Sequence, residues 1–129
     1  MKVVLDTNVL ASAMLTPDGL PANVVNLFLN DRLILLYDNR ILGEYHAVLS
    51  RPKFGFPSDT VDAFIEFIHT RGEFVVAELV RDSMPDEADR KFLEVARSGR
   101  ALALVTGNIA HFPTDSLVVS PKEFLDQHY

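Results

Sequence analysis

The chain has no cysteine in its 129 residues, which removes disulfides, thiol nucleophiles and thiolate-held zinc or iron–sulfur groups, and fits a reducing compartment. Long apolar runs are absent as well. Stretches such as Leu33 to Tyr37 fall far short of the roughly 20 residues that span a bilayer, so no membrane association is expected. At the N-terminus Lys2 precedes just Val3, Val4 and Leu5 before Asp6 intervenes, so the regions of a secretion signal are missing and a cytoplasmic location is expected. Basic residues are in deficit: 12 Lys and Arg against 18 Asp and Glu give a formal charge of −6. That balance disfavours a general nucleic-acid coat protein, which needs a basic surface. It leaves open chemistry on phosphate, because carboxylates that hold a cation count as negative in the sequence while the ion presents positive charge to a substrate.

What is present is an apolar content of 48%, enough for one core in a chain too short for two ordinary domains, so residues 1–129 are expected to form a single domain. Val3 to Leu5 reads as a strand ending at Asp6, followed by a connection with a Pro/Gly loop at Thr16 to Pro21. Val24, Val25, Leu27 and Phe28 recur at helical spacing, and Leu33 to Tyr37 forms a buried-strand pattern. A helix over Asn39 to Leu49 ends near Arg51-Pro52, since proline disfavours helical geometry in its predecessor. Val61, Phe64, Ile65 and Ile68 form an amphipathic stripe capped by Ser58 or Asp59 and stopped by Gly72. Strands are then expected at Glu73 to Ala77, Ala101 to Val105 and Ser116 to Val119. Helices are expected over Asp86 to Ser98, ending at Gly99, and after the capping-box and first-turn-proline sequence Ser120-Pro121-Lys122-Glu123. No repeats, linkers or low-complexity tracts interrupt this alternation. Short apolar strands separated by helices imply an α/β fold, a three-layer α/β/α sandwich around a mainly parallel sheet of about five strands. In such sheets ligands bind beyond the carboxyl ends of strands, where Asp6 and Asn108 both fall, so the two are expected to be neighbours.

Several acids in this pattern carry candidate chemistry, each with an ordinary structural alternative. Asp6 directly follows an apolar strand, a placement that costs desolvation unless something compensates; otherwise it is a helix cap or turn residue. Glu44 sits mid-helix among partly buried residues, where a glutamate is usually solvated. Asp86, Glu87 and Asp89 crowd a helix start, which the helix dipole favours. Asp86 and Asp89, three apart, share a face, and Glu87 points elsewhere. Thr106-Gly107-Asn108 follows a strand, as an ordinary turn also does.

In order along the chain, Val4-Leu5-Asp6-Thr7-Asn8-Val9-Leu10, Ile41-Leu42-Gly43-Glu44-Tyr45, Pro85-Asp86-Glu87-Ala88-Asp89-Arg90-Lys91-Phe92-Leu93-Glu94-Val95-Ala96, and Leu104-Val105-Thr106-Gly107-Asn108 with His111-Phe112-Pro113 together resemble the PIN-domain nucleases. The likeness is to the bacterial branch described as toxins of toxin–antitoxin pairs, and it covers nearly the whole chain. By that resemblance Asp6, Glu44 and Asp89 are the metal-site acids, and Asp86 is an accessory acid. Asn108 stands at a fourth position that is often Asp in the family. An amide oxygen still coordinates a hard cation but adds no charge, which weakens any case for a tightly held second metal.

Oxygen ligands without cysteine favour Mg²⁺ or Mn²⁺ over zinc. The resemblance implies an endoribonuclease that hydrolyses RNA phosphodiester bonds, with a small antitoxin protein as partner. Thr7, Asn8 and Thr106 are expected to support the site by hydrogen bonding, and Arg90 and Lys91 are the best placed of the scattered basic residues to contact RNA. His46, His69, His111 and His128 lack the i, i+4 pairing of a helical zinc site; His111 lies nearest the crevice. Phe64, Phe67 and Phe74 mark a candidate interface for a homodimer or higher homo-oligomer, although such residues more often complete a core. Two other readings remain: a PIN scaffold with an impaired metal site that binds RNA or protein, and an aspartyl-phosphate phosphatase using Asp6. The phosphatase is disfavoured because that chemistry usually places a second acid two residues on, where this chain has Asn8.

Overall fold

The apolar runs become the strands of one parallel sheet in the computed structural model, which describes residues 1–129. The order is β1 (Lys2–Leu5), α1 (Thr7–Leu15), α2 (Leu20–Leu29), β2 (Ile34–Tyr37), α3 (Asn39–Leu49), α4 (Ser58–Arg71), β3 (Glu73–Phe74), α5 (Arg90–Ser98), β4 (Ala103–Val105), β5 (Val118–Val119) and α6 (Pro121–His128). Short 3₁₀ turns lie at Pro52–Phe54, Glu87–Asp89 and Ile109–His111. All four strand pairings are parallel, in the order β3-β2-β1-β4-β5, and the six helices flank the sheet in a three-layer α/β/α arrangement. Val3, Val4, Leu5, Leu35, Leu36, Leu104 and Val105 are fully buried, as strands covered on both faces must be.

The strand order reverses between β1 and β4, which pair with Leu5 opposite Val105. Asp6 and Thr106 therefore leave the sheet side by side at its carboxyl edge, where the crossovers depart to opposite sides and open a crevice. The Asp6 amide continues the ladder one step further by donating to the Val105 carbonyl at 2.9 Å.

Four local differences from the sequence pattern have physical reasons. The segment after Asp6 is a helix, not a plain connection: in α1, Thr7, Val9, Leu10, Ala11 and Ala13 are all buried, so it shows no one-sided apolar stripe. Helix α5 starts at Arg90, after the tighter 3₁₀ turn at Glu87–Asp89 that Asp86 caps. Strand β3 stops at Phe74, and the chain continues as an extended strap in which Val76 and Leu79 are about 85% exposed, 84% and 85% respectively. Helix α4 begins at Ser58 with Pro57 in the cap position, so neither Ser58 nor Asp59 caps it. Gly72 does end α4, and a Cβ there would lie 2.6 Å from the Ile68 carbonyl oxygen and 2.9 Å from that of Leu35. The expected capping box of α6 is present in full, with Ser120 and Glu123 each accepting from the other's backbone N–H.

Candidate active site

Asp6 occupies the N-cap position of α1, and Asp89 that of α5, yet neither carboxylate makes a capping hydrogen bond. Elsewhere the same chain uses acids as ordinary caps: Asp38 accepts from the Ile41 amide and Asp86 from the Ala88 amide, each at 3.0 Å. Capping by hydrogen bond therefore does not account for Asp6 or Asp89, whereas it accounts for one oxygen of Asp86.

The Asp6 side chain turns instead into the crevice. Its Oδ2 accepts from Thr106 Oγ1 at 2.8 Å and more weakly from Asn8 Nδ2 at 3.4 Å. The residue is 5% exposed. Burial raises its pKa to about 6, against the Thr106 hydrogen bond, with the Asp89 and Glu44 carboxylates raising it further and the Thr7 backbone N–H opposing. Asp6 has no lysine or arginine as an ion-pair partner, and the charges that act on it most are two more carboxylates, an arrangement that favours an added cation.

Glu44 arrives from the middle of α3. Thr7 Oγ1 donates to one of its oxygens, and Lys91 Nζ lies 2.7 Å from the other. Fixing α3 at this depth is Tyr45, fully buried next to Glu44, whose hydroxyl donates to the Leu5 carbonyl at the end of β1. Asp89 accepts from His111 Nδ1 at 3.1 Å, and His111 Nε2 in turn lies 2.8 Å from Asn108 Nδ2. One tautomer satisfies both contacts: Nδ1 carries the proton toward Asp89, and the Asn108 amide donates to Nε2. The pKa of Asp89 is raised, first by burial and then by the Asp86 charge, with His111 opposing. Single ligand-type atoms of Asp86, Asp89 and His111 all lie within 4.8 Å of one another, a candidate metal-binding group.

The loop after β4 is tied to the loop after β1. Thr106 Oγ1, while donating to Asp6, accepts from the Asn108 amide at 3.0 Å; Asn8 Oδ1 accepts from the Gly107 amide at 3.0 Å. Thr7, Asn8 and Thr106 therefore each hold or brace a piece of this cluster. Asn108 commits its amide nitrogen to His111, leaving its carbonyl oxygen as the atom to offer a cation. The donor set left to a cation is carboxylate and amide oxygens, which suits a hard divalent ion.

The basic residues take specific places. Arg90 bonds Glu87 at 2.6 Å and the Val80 carbonyl at 2.6 Å, so Glu87 points away from the acids as its position in the turn implies. Lys91 enters the acid cluster itself. Phe67 packs edge-on against Phe28 at 5.3 Å between centroids and extends the core, whereas Phe74 lies edge-on to Tyr37 at 5.9 Å and stays 49% exposed.

A second charged group went unread in the sequence. Arg40 bridges Asp38 and the buried Glu94, at 2.7 Å to each, and the other Glu94 oxygen accepts from the Val80 amide at 3.0 Å. This clamp, with the Ser98 hydroxyl accepting from the Glu78 amide and Arg97 pairing with Asp82, pins the strap that delivers Asp86 and Asp89 to the crevice. The available signal was the one that marked Asp6: Asp38 directly follows an apolar strand, and Glu94 interrupts Phe92-Leu93 and Val95-Ala96.

No helix is long and apolar enough to cross a membrane. Over 111 residues the chain is 26% identical to an uncharacterized protein of Methanocaldococcus jannaschii, covering 84% of this chain and 71% of that one. Residues 2–110 match the family model for the PIN domain, whose members are generally metal-dependent nucleases. The acid-lined crevice between β1 and β4 thus sits in a chain that belongs to the PIN domain family.

Proposed function

We propose that the protein is an Mg²⁺- or Mn²⁺-dependent endoribonuclease that hydrolyses phosphodiester bonds at this crevice. The observation that carries the reading is Asp6: a buried carboxylate, turned away from the helix it could cap, facing Glu44 and Asp89 with no basic partner of its own. Asp6, Glu44 and Asp89 would hold the ion, with Asp86 and Asn108 at its margin. When bound, a divalent cation supplies activation of water and neutralisation of charge on the phosphate. The chain's own residues do the positioning. Thr106 and Thr7 aim Asp6 and Glu44, and the Asn108–His111 pair fixes the orientation of Asp89. Residues so braced lose little further freedom on binding, which is what a precise constellation requires. Arg90 and Lys91 are proposed to meet the RNA backbone, and the net negative surface confines that attraction to the cation and its immediate surroundings.

The reading extends to a toxin of a toxin–antitoxin pair acting in the cytoplasm, restrained by a small antitoxin protein and assembled as a homodimer or higher homo-oligomer. The resemblance of the ordered segments to that branch supports it. One observation favours the alternative of a catalytically impaired scaffold, namely that a neutral Asn108, bonded to His111, stands where an acid is common.

Cleavage of a labelled single-stranded RNA with Mg²⁺, with Mn²⁺ or with chelator tests the proposal. The expected result is internal cutting that needs the metal and is lost in Asp6→Asn and Asp89→Asn. Cleavage that persists equally in both variants overturns the site; metal binding without cleavage of any RNA supports the impaired scaffold. Growth arrest on expression, relieved by the product of a short adjacent reading frame, tests the toxin role.

A further inference from the structure

Lys91 is the one lysine or arginine inside the acid cluster. Its ammonium lies 2.7 Å from Glu44 Oε1, also donates to the Ala88 carbonyl, and sits 5.0 Å from the centre of the Phe92 ring, with the side chain 15% exposed. Since Thr7 holds the other Glu44 oxygen, both oxygens of this proposed ligand are engaged. Lys91 also lines a groove of about 360 Å³ with Arg40, Arg90, Glu87 and Glu94. Each cation of that groove is paired: Arg40 with Asp38 and Glu94, Arg90 with Glu87, Lys91 with Glu44. Lys91 alone has a partner that belongs to the acid cluster.

We propose that Lys91 is a resident counter-ion for Glu44, which a divalent cation must displace to bind, so that metal binding and the Lys91–Glu44 ion pair are mutually exclusive. The ammonium and a divalent ion compete for the same carboxylate oxygen and repel each other at the distances involved. Lysine suits this role because its compact charge sits on a flexible four-carbon stem, so it can withdraw into the adjoining groove without moving the helix that carries it. Lys91 is thereby a positioning residue: it keeps Glu44 pointed into the crevice without metal and lowers the apparent metal affinity. This inference rests on the proposed metal site, and the experiment separates the two.

The experiment is calorimetric titration of Mn²⁺ into the whole chain at low ionic strength, with thermal unfolding in chelator and in Mn²⁺ alongside. Lys91→Gln is expected to bind Mn²⁺ about fivefold more tightly than wild type, the scale of a partly exposed ion pair. It should also unfold at lower temperature in chelator and gain more from Mn²⁺. Lys91→Arg keeps the charge but grips a carboxylate with two parallel donors, so it is expected to bind Mn²⁺ more weakly than wild type. Lys122→Gln, which removes an exposed charge of α6 paired with Asp126 and with no acid of the cluster, should stay within about twofold of wild type. If Lys91→Gln binds equally or more weakly, or if Lys91→Arg matches Lys91 while Lys122→Gln shifts as far as Lys91→Gln, the exchange is overturned. Wild-type binding that survives in Asp6→Asn, or no wild-type binding at all, instead overturns the metal site beneath it.

Discussion

Replacing Asp6 with asparagine is expected to make the metal-free protein more stable while removing its metal binding, an outcome that separates a functional acid from a structural one. Asp6 is 5% exposed, and its pKa is raised from the ordinary 3.8 to about 6. At about 1.36 kcal/mol per pKa unit, ionising it in the folded state costs up to about 3 kcal/mol more than in the unfolded chain. The sign follows from proton binding. The folded protein holds this proton more tightly, so the associated stability is complete below about pH 4 and is lost as pH rises through about 6. Asparagine is nearly isosteric, still accepts from Thr106 through its carbonyl oxygen, and carries no charge. Urea unfolding in chelator should therefore show the two proteins alike near pH 4 and the variant ahead by up to about 3 kcal/mol at pH 7.5, a Tm gain on the order of 5–10 °C. Adding Mn²⁺ should reverse the order, since ligand binding to the folded state stabilises wild type alone. A variant less stable than wild type across the whole pH range in chelator would refute the reasoning, because Asp6 would then be serving the fold.

Other substitutions separate the support of the site from its chemistry. Thr106→Val removes the fully buried hydroxyl that donates to Asp6 and accepts from the Asn108 amide; it should cost about 1–3 kcal/mol by urea unfolding and weaken Mn²⁺ binding. Tyr45→Phe deletes the buried hydroxyl that reaches the Leu5 carbonyl and is expected to cost about 1 kcal/mol, with Mn²⁺ affinity little changed. Glu94→Gln breaks the Arg40 pair and loosens the Val80 amide; about 2–3 kcal/mol should be lost, and limited proteolysis should cut first within residues 76–86. Gly72→Ala drives a Cβ into two backbone carbonyls and should destabilise by about 1–3 kcal/mol, measured as a fall in the urea midpoint.

The strands, their parallel direction and the crevice could be read from the sequence because buried parallel strands leave continuous apolar runs, and Asp6 and Thr106-Gly107-Asn108 stand directly behind two of them. Helix α1 could not, since a helix buried on several sides shows neither the 3.6-residue stripe nor a polar face. The same limit hid the end of β3: Val75 and Val76 look like strand residues, but no further strand lies beyond Tyr37 and Phe74 to pair with them. Within the site, the resemblance of the ordered segments to the PIN-domain nucleases is what singles out Asp6, Glu44 and Asp89 as a set, whereas the links among side chains are invisible in the sequence. That Lys91 reaches Glu44, or that Asn108 holds His111 against Asp89, depends on how α3, α5 and the loop after β4 pack, not on any local pattern.

The proposal that these acids form one metal site is best judged by locating the ion. Crystals grown with Mn²⁺ and measured for its anomalous scattering are expected to show a peak bounded by Asp6, Glu44 and Asp89, with Lys91 withdrawn from Glu44. A well-ordered crystal saturated with Mn²⁺ that shows no peak there, or a peak elsewhere on the surface, would contradict it.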